Sequence, residues 1–564
     1  MKGTGKGFLQ YLCDIEEVGR GNDLNLHLLI IVVEGTKSYR NSAYFLLLII
    51  PIILSVFLRL YPYLLYQAPW GTDGWPLFHN TISLLNYSPT KLGGNPAFDN
   101  YNIYWPGVSI FGAVTSLLTG ASPLSQMPIF VPFIGALATF MLFMLVMKLT
   151  DDVYMAFASS MIFASASFDS IFTASVTKET FAYPIFMAAL IPLARRFDKK
   201  TLLIFTILSF GVLLSHYALA FLLFLIACVP PLAGGFLGLL EGKESLNRLI
   251  LPFVLGFMGV IYYVIYAYPS ILAITIPETQ ALSMAAYLLL STGLLAYVLT
   301  TKHTRSLDVG FILLVALILG ISTRYVFAPF APTLNMSFLA FALPYTLVAL
   351  LAMPGFRKLA WSTSSLFTLG WLSIPLGIGG FSLFGTPEGI GIIYRILTFA
   401  YAPAAMLASV AMFGNWYHMR SWKKIAVMIL ILAVAASCSY QNYDAVVNHS
   451  NLLGGQWAYY PSDLSSAFWY LDHMGNNGSV AGDARISYLY SGFYGINVTS
   501  VSGYEYLLGE SSKMIIPLVT YNLMAVDGYD LNNFGQKLPK DWQSNLSGNL
   551  SRVYSNGNDI LWYG

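Results

Sequence analysis

An α-helix needs roughly twenty consecutive apolar residues to cross about 30 Å of hydrocarbon. By that rule the chain holds about thirteen such stretches, some of them short. They centre on residues 43–66, 125–148, 153–171, 181–195, 201–215, 217–235, 249–268, 281–300, 309–323, 334–353, 364–384, 391–414 and 424–439. A chain patterned this way has lipid as the solvent for most of its length. Inside lipid every backbone N–H and C=O must be bonded internally, and stretches of this length satisfy that as helices. The expected fold class is therefore mainly α: a polytopic transmembrane helix bundle. Composition agrees, with 56% hydrophobic and 10% charged residues among 564 and a mean hydropathy of +0.64. The 29 basic and 27 acidic side chains nearly cancel, which argues against a nucleic-acid partner. Cys13, Cys228 and Cys438 are far apart, so neither a disulfide framework nor a zinc site is implied.

Charge sets the expected orientation. Residues 1–41 lack the features of a cleaved secretory signal and read as a cytoplasmic extension. With that end inside, the inner loops hold Lys37 and Arg40, Lys148, Arg195 to Lys200, Lys243 and Arg248, Lys302 and Arg305, Arg357 and Lys358, and Arg420 to Lys424. The outer loops hold only Lys91, Lys178 and Arg324, the bias expected of a membrane protein. The apolar run 108–118 follows Trp105-Pro106-Gly107 and is too short to span, so it is placed at the outer interface. Counting it as a span would invert everything after it and destroy the bias. An odd span count puts the C-terminus outside. The seven Asn-x-Ser/Thr sequons, at Asn86, Asn335, Asn448, Asn477, Asn497, Asn545 and Asn549, all fall on that side.

Three regions follow: the extension 1–41, a transmembrane domain 42–438 with a long first outer loop (67–124), and an extracytoplasmic soluble domain 439–564. The last region mixes its apolar residues with Gly, Asn, Asp and Ser, and none of its segments reaches spanning length. Ser487-Tyr-Leu-Tyr-Ser and Ile560-Leu-Trp-Tyr read as strands and Pro461 to Met474 as a helix, giving a small α/β unit. No pair of matching halves with broken helices, the usual pointer to a secondary transporter, is visible.

Candidate chemistry clusters in the outer loops. The first contains Gly71-Thr-Asp73-Gly-Trp-Pro-Leu-Phe-His79-Asn, and long loops in compact proteins are usually functional. Asp73 suits either a turn and helix cap or a carboxylate facing a water-filled cavity, with about equal weight on each. His79 is a further pocket candidate. After the third span comes Val176-Thr-Lys178-Glu179-Thr, where Glu179 reads first as a helix cap. Taken with Asp73 it makes two outer carboxylates, the minimum for acid/base work or a divalent cation. Lys178 beside it can neutralise a phosphate. Glu278, in Thr275-Ile-Pro-Glu, reads mainly as a cap. His216 suits a cavity or a satisfied structural site equally. Snorkelling explains Arg324, whereas Arg395, inside an apolar run, needs a counter-charge such as a phosphate.

These residues resemble the GT-C glycosyltransferases, most closely the catalytic subunits of oligosaccharyltransferases. The shared features are the span number and orientation, the Asp73-Gly74-Trp75 element opening a long first loop, the Trp-Pro-Gly interfacial helix, the acidic motif after the third span and the outer C-terminal domain. The resemblance implies a membrane glycosyltransferase that moves a sugar from a polyprenyl (dolichyl) phosphate carrier to an acceptor on the extracytoplasmic face. It implies Asp73 and Glu179 at catalysis and at a Mg or Mn cation, Lys178, Arg324 and Arg395 at the donor phosphate, and Thr275-Ile-Pro-Glu278 as the later T-I-x-E motif. Two departures stand out. Thr177 occupies the place of the first acid of the D-x-D or D-x-E motif, and Val480-Ala-Gly-Asp-Ala-Arg485-Ile stands where W-W-D-Y-G would read an asparagine acceptor. An acceptor other than asparagine therefore fits better. A flippase of lipid-linked glycans, or a noncatalytic assembly subunit, is the alternative.

Overall fold

The structure is a computed structural model and describes residues 39–86, 101–195, 197–236, 242–268, 277–300, 336–358, 363–384, 393–449, 458–475, 478–511, 514–531 and 534–564. The expected span 309–323, Arg324, most of the N-terminal extension, Asn335, Asn477 and Thr275 lie outside the described residues.

The apolar stretches that fall within the described residues form helices, in order α1 (Tyr39–Tyr66), α2 (Gly74–Asn86), α3 (Gly107–Thr119), α4 (Pro123–Thr150), α5 (Val153–Ser165), α6 (Ser167–Phe172) and α7 (Lys178–Leu193). Then follow α8 (Lys199–Ser215), α9 (Tyr217–Phe236), α10 (Gly242–Tyr262), α11 (Glu278–Thr300), α12 (Met336–Lys358), α13 (Thr363–Phe384), α14 (Ile393–Phe413) and α15 (Ser421–Val447). Six helices among the described residues are long and apolar enough to cross a membrane. Their outer faces explain why lipid is needed: Ile53 and Phe57 on α1, Phe253 and Phe257 on α10, and Leu289 on α11 are all exposed. A contiguous apolar surface of this kind is not tolerated in water.

Two of these helices differ from the stretches read in the sequence. The third stretch is broken at Ala166 into α5 and α6, the short α6 standing alone before the Thr177 loop. The last span continues past Ser439 as far as Val447. The 108–118 run is helix α3, as expected. Its entry is fixed by Gly107, where a Cβ would overlap the Ser215 hydroxyl and sit 3.1 Å from the Ser215 Cα, so only glycine lets α3 meet the end of α8.

The C-terminal region is a mixed α/β unit. Helices α16 (Pro461–Met474), α17 (Ala484–Tyr490) and α18 (Ser500–Leu507) accompany strands β1 (Ser479–Ala481), β2 (Asn497–Thr499), β3 (Leu518–Tyr521), β4 (Tyr529–Leu531), β5 (Phe534–Gln536), β6 (Ser551–Ser555) and β7 (Asp559–Tyr563). The main sheet has the order β2-β1-β3-β7-β6, while β4 and β5 pair separately. β1 runs parallel to both β2 and β3, and β7 runs antiparallel to β3 and β6. The helix at 461–474 and the strand at Ile560 match the sequence pattern. Ser487 to Tyr490 does not: it belongs to helix α17, because Asp483 accepts from the Ile486 N–H at 3.0 Å and caps a helix there. Ile486, Leu489 and Tyr490 then share one buried face at helical spacing.

Arg485 organises this unit. Its guanidinium is fully buried, pairs with Asp463, donates to the Ala458 carbonyl from Nε at 3.1 Å and from Nη2 at 2.8 Å, and lies 4.3 Å from the ring centres of both Tyr459 and Tyr521. The opposing Coulomb partners, Asp463 first, outweigh desolvation and raise its affinity for the proton. Burial pushes Asp483 up, and burial together with Asp463 pushes Asp559 well above the usual carboxylate range. The segment 480–486 is thus built into the core of the unit.

Candidate functional site

The loop after α1 is held against the C-terminal unit by aromatic packing. Trp75, fully buried, meets the edge of Tyr459 at 5.0 Å and of Phe493 at 5.7 Å between ring centres. One turn on, His79 donates from Nδ1 to the Phe493 carbonyl at 2.9 Å, so this pocket candidate is a staple between α2 and the C-terminal unit. Tyr66, at the end of α1, donates to the Val446 carbonyl at the end of α15. These ties place the Asp73-Gly74 turn. A Cβ at Gly74 would lie 3.2 Å from the Val176 carbonyl oxygen and 3.4 Å from its Cβ, so the turn sits directly against the segment that leads into Lys178 and Glu179. Half-buried Asp73 immediately precedes α2.

Glu179 is in the first turn of α7, but it is not the cap. Thr177 fills that role, its hydroxyl accepting from the Thr180 N–H at 2.9 Å. Glu179 is 4% exposed, and its Oε2 lies 3.9 Å from Nε2 of His216, which is also buried. The Lys178 ammonium lies 4.1 Å from the centre of the Tyr101 ring. The Val176 segment that leads into Lys178 and Glu179 thus lies against the Asp73-Gly74 turn, with His216 beside Glu179, at the end of the bundle that bears the C-terminal unit. Glu278 opens α11 and is exposed rather than buried with them. Arg395 lies in the first turn of α14, and its side chain is outside the described residues.

A buried ion pair behind the site has no counterpart in the sequence reading. Arg59 on α1 and Asp169 on α6 are both fully buried and paired. Arg59 also donates from Nε to the Thr173 hydroxyl at 2.8 Å and from Nη1 to the Ser55 hydroxyl at 2.6 Å. Trp70 donates to the Ile171 carbonyl at 3.2 Å, and Asn442 of α15 donates to the Ser170 hydroxyl at 2.7 Å. Helix α6 is therefore fastened to α1, to the first loop and to the last span just ahead of Thr177. A charged residue inside an apolar run is costly unless paired, so the lone Arg59 within the first span was the available signal.

The residues do not form a ready metal cage. Among the described residues no three His, Cys, Asp or Glu side chains gather as a ligand set. The position of the first motif acid is Thr177, whose hydroxyl is already engaged as the α7 cap.

No family model and no curated protein matches the sequence. The structure is similar to that of the Archaeoglobus fulgidus oligosaccharyltransferase. The apo form superposes with a TM-score of 0.53 at 12% identity, covering 86% of this chain and 70% of that one. Its complex with zinc and sulfate gives 0.52 at 12% identity, covering 85% and 68%. ArnT from Cupriavidus metallidurans bound to undecaprenyl phosphate is a looser likeness, with a TM-score of 0.46 at 10% identity over 92% and 98% of the two chains. Identities this low speak to the fold alone. The chain shares its fold with the Archaeoglobus fulgidus oligosaccharyltransferase.

Proposed function

We propose that this protein is a membrane glycosyltransferase that takes a sugar from a polyprenyl-phosphate carrier and passes it to an acceptor on the extracytoplasmic face. The observation that carries this reading is the convergence of the Asp73-Gly74 turn on Val176, which brings the first-loop acid to the loop bearing Lys178 and Glu179. Caps alone need no such meeting. The shared fold with an oligosaccharyltransferase supports the general kind of reaction, and the sulfate in one of its structures suits a site for tetrahedral anions.

The chemistry is a displacement at the anomeric carbon. The acceptor oxygen bonds to that carbon, the bond from carbon to phosphate oxygen breaks, and its electron pair leaves with the lipid phosphate. Asp73 takes the acceptor proton as general base. Glu179, held near His216, is its partner and orients the acceptor. Lys178 stabilises the charge that grows on the phosphate, and we assign Arg395 and Arg324 the same task at the donor. Among the described residues, Asp73 and Glu179 are the carboxylates that would hold a Mg or Mn cation, which would supply charge stabilisation at the departing phosphate.

The test is a radiolabelled polyprenyl-phosphate sugar incubated with membranes that contain the protein. Transfer yields a new labelled glycoconjugate, translocation moves intact donor across the bilayer, and a binding subunit does neither. Intact donor on the far face with no new product would overturn the reading in favour of a flippase.

A further inference from the structure

Beside Glu179 and His216 lies a group of aromatic rings that the reaction as described does not use. The end of the first loop contributes Tyr101 and Trp105. The Trp105 ring lies 5.3 Å from that of Tyr217, 5.8 Å from Tyr262 and 5.7 Å from Tyr263, and Tyr101 lies 6.5 Å from Tyr217. Tyr217 directly follows His216, and their rings stack at 5.5 Å. Tyr101 carries the Lys178 ammonium on its face. The aromatic group is therefore continuous with the proposed catalytic residues at two points.

Two features set this group apart from an ordinary belt of Trp and Tyr at a membrane surface. First, α10 does not end as an α-helix: Tyr263 to Ala267 form a π-helical turn, a rare distortion that is frequent at functional sites. That turn brings Tyr262, Tyr263 and Tyr266 all against the loop. Second, the rings differ in what they do. Tyr262 and Tyr266 donate to the Tyr104 and Ile103 carbonyls at 2.6 Å and 2.8 Å and so fasten the loop to α10. Trp105 is buried at the centre, while Tyr217 and Tyr263 are half-buried and Tyr101 is exposed. Tyr262 and Tyr266, themselves half-buried, are fixed by their hydroxyls, and Trp105 backs the face that Tyr101, Tyr217 and Tyr263 present.

We infer that Tyr101, Tyr217 and Tyr263, backed by the buried Trp105, form a wall that receives the sugar ring of the donor, with Lys178 at its edge holding the phosphate. A pyranose presents an apolar face of C–H groups with hydroxyls around its rim, and a wall of rings with phenolic rims matches both. This inference rests on the reading of the protein as a user of lipid-linked sugars, and it adds where the sugar sits.

The experiment uses the full chain in nanodiscs with two probes, undecaprenyl phosphate and a panel of undecaprenyl-phosphate hexoses. Tyr217→Leu and Tyr263→Leu should each weaken binding of the preferred sugar-bearing lipid roughly tenfold, about 1.4 kcal/mol, and leave undecaprenyl phosphate unchanged. Tyr217→Phe and Tyr263→Phe should keep most of the affinity. Equal weakening for both lipids, or none for either, would overturn the wall. A parent chain that binds both lipids equally would also overturn it while leaving the phosphate site standing. A parent chain that binds neither would overturn the functional reading itself. Should the leucine variants fail to fold, the parent's tryptophan emission decides: the sugar lipid should shift it more than undecaprenyl phosphate does, and Trp105→Phe should remove the difference. No difference in the parent counts against the wall.

Discussion

Arg59→Met tests whether the buried pair behind the site holds α6, and hence the loop leading to Glu179. Methionine fills a similar length but removes the contacts to Asp169, Thr173 and Ser55. Asp169 then remains fully buried with its cationic partner gone. Breaking a buried pair in this way costs about 3–5 kcal/mol, because one charge is left uncompensated. Removing both charges is different. In Arg59→Met with Asp169→Leu, Thr173 still donates to the Asp169 main-chain carbonyl at 2.6 Å and Ser55 still accepts from Thr139 at 2.9 Å, so the remaining polar groups keep partners. The double variant should recover to within about 1–2 kcal/mol of the parent. Reversible unfolding in mixed micelles, run as a double-mutant cycle, measures both quantities. The reasoning fails if the two single losses simply add in the double variant.

Three further outcomes are expected. A Cβ at Gly355 would lie 2.6 Å from the Leu407 carbonyl carbon, a main-chain atom that cannot swing aside, so Gly355→Ala should force α12 off α14 and lower stability by about 1–3 kcal/mol or more; a melting temperature equal to the parent's would contradict this. Thr177→Ala should cost about 1 kcal/mol through loss of the α7 cap, with Thr177→Ser close to neutral, as read by the same unfolding assay. In the C-terminal unit, burial holds the Asp559 carboxyl well above its usual range. A raised folded value contributes stability that is whole below the unfolded value of about 3.9 and is lost as pH rises through the folded one. Hydrogen exchange in β7 and α16, corrected for intrinsic rates, should therefore reveal easier opening as pH is raised from 4 upward. Asp559→Asn should flatten that slope, and an unchanged slope would assign the pH dependence elsewhere.

How much could be read in advance follows from the range of the forces involved. The bundle was legible because a helix in lipid declares itself within one window of about twenty residues. The helix at Pro461 and the strand at Ile560 were legible for the same local reason. Ser487-Tyr-Leu-Tyr-Ser misled because its alternation mimics a strand, whereas the deciding contact is the Asp483 cap at Ile486. The two candidate carboxylates were visible as loop residues, but the approach of their two loops depends on Gly74 packing on Val176. Arg59 with Asp169, and Tyr262 and Tyr263 at the end of α10 with Trp105, are tertiary pairings between distant segments. Each member alone looks like an ordinary buried charge or interfacial ring.

The central claim is that the Asp73 turn and Glu179 form one reactive centre. It is tested most directly by the rate of sugar transfer from a radiolabelled polyprenyl-phosphate donor at matched protein level, with Asp73→Asn and Glu179→Gln measured singly and together. Both substitutions keep size and an accepting oxygen while removing the charge. A positioned proton-transfer pair predicts that each lowers the rate roughly a hundredfold or more, and that the double variant is little worse than the more damaging single one. If both single variants transfer sugar at near-parental rates, Asp73 serves its turn and Glu179 its helix, and the catalytic assignment is wrong.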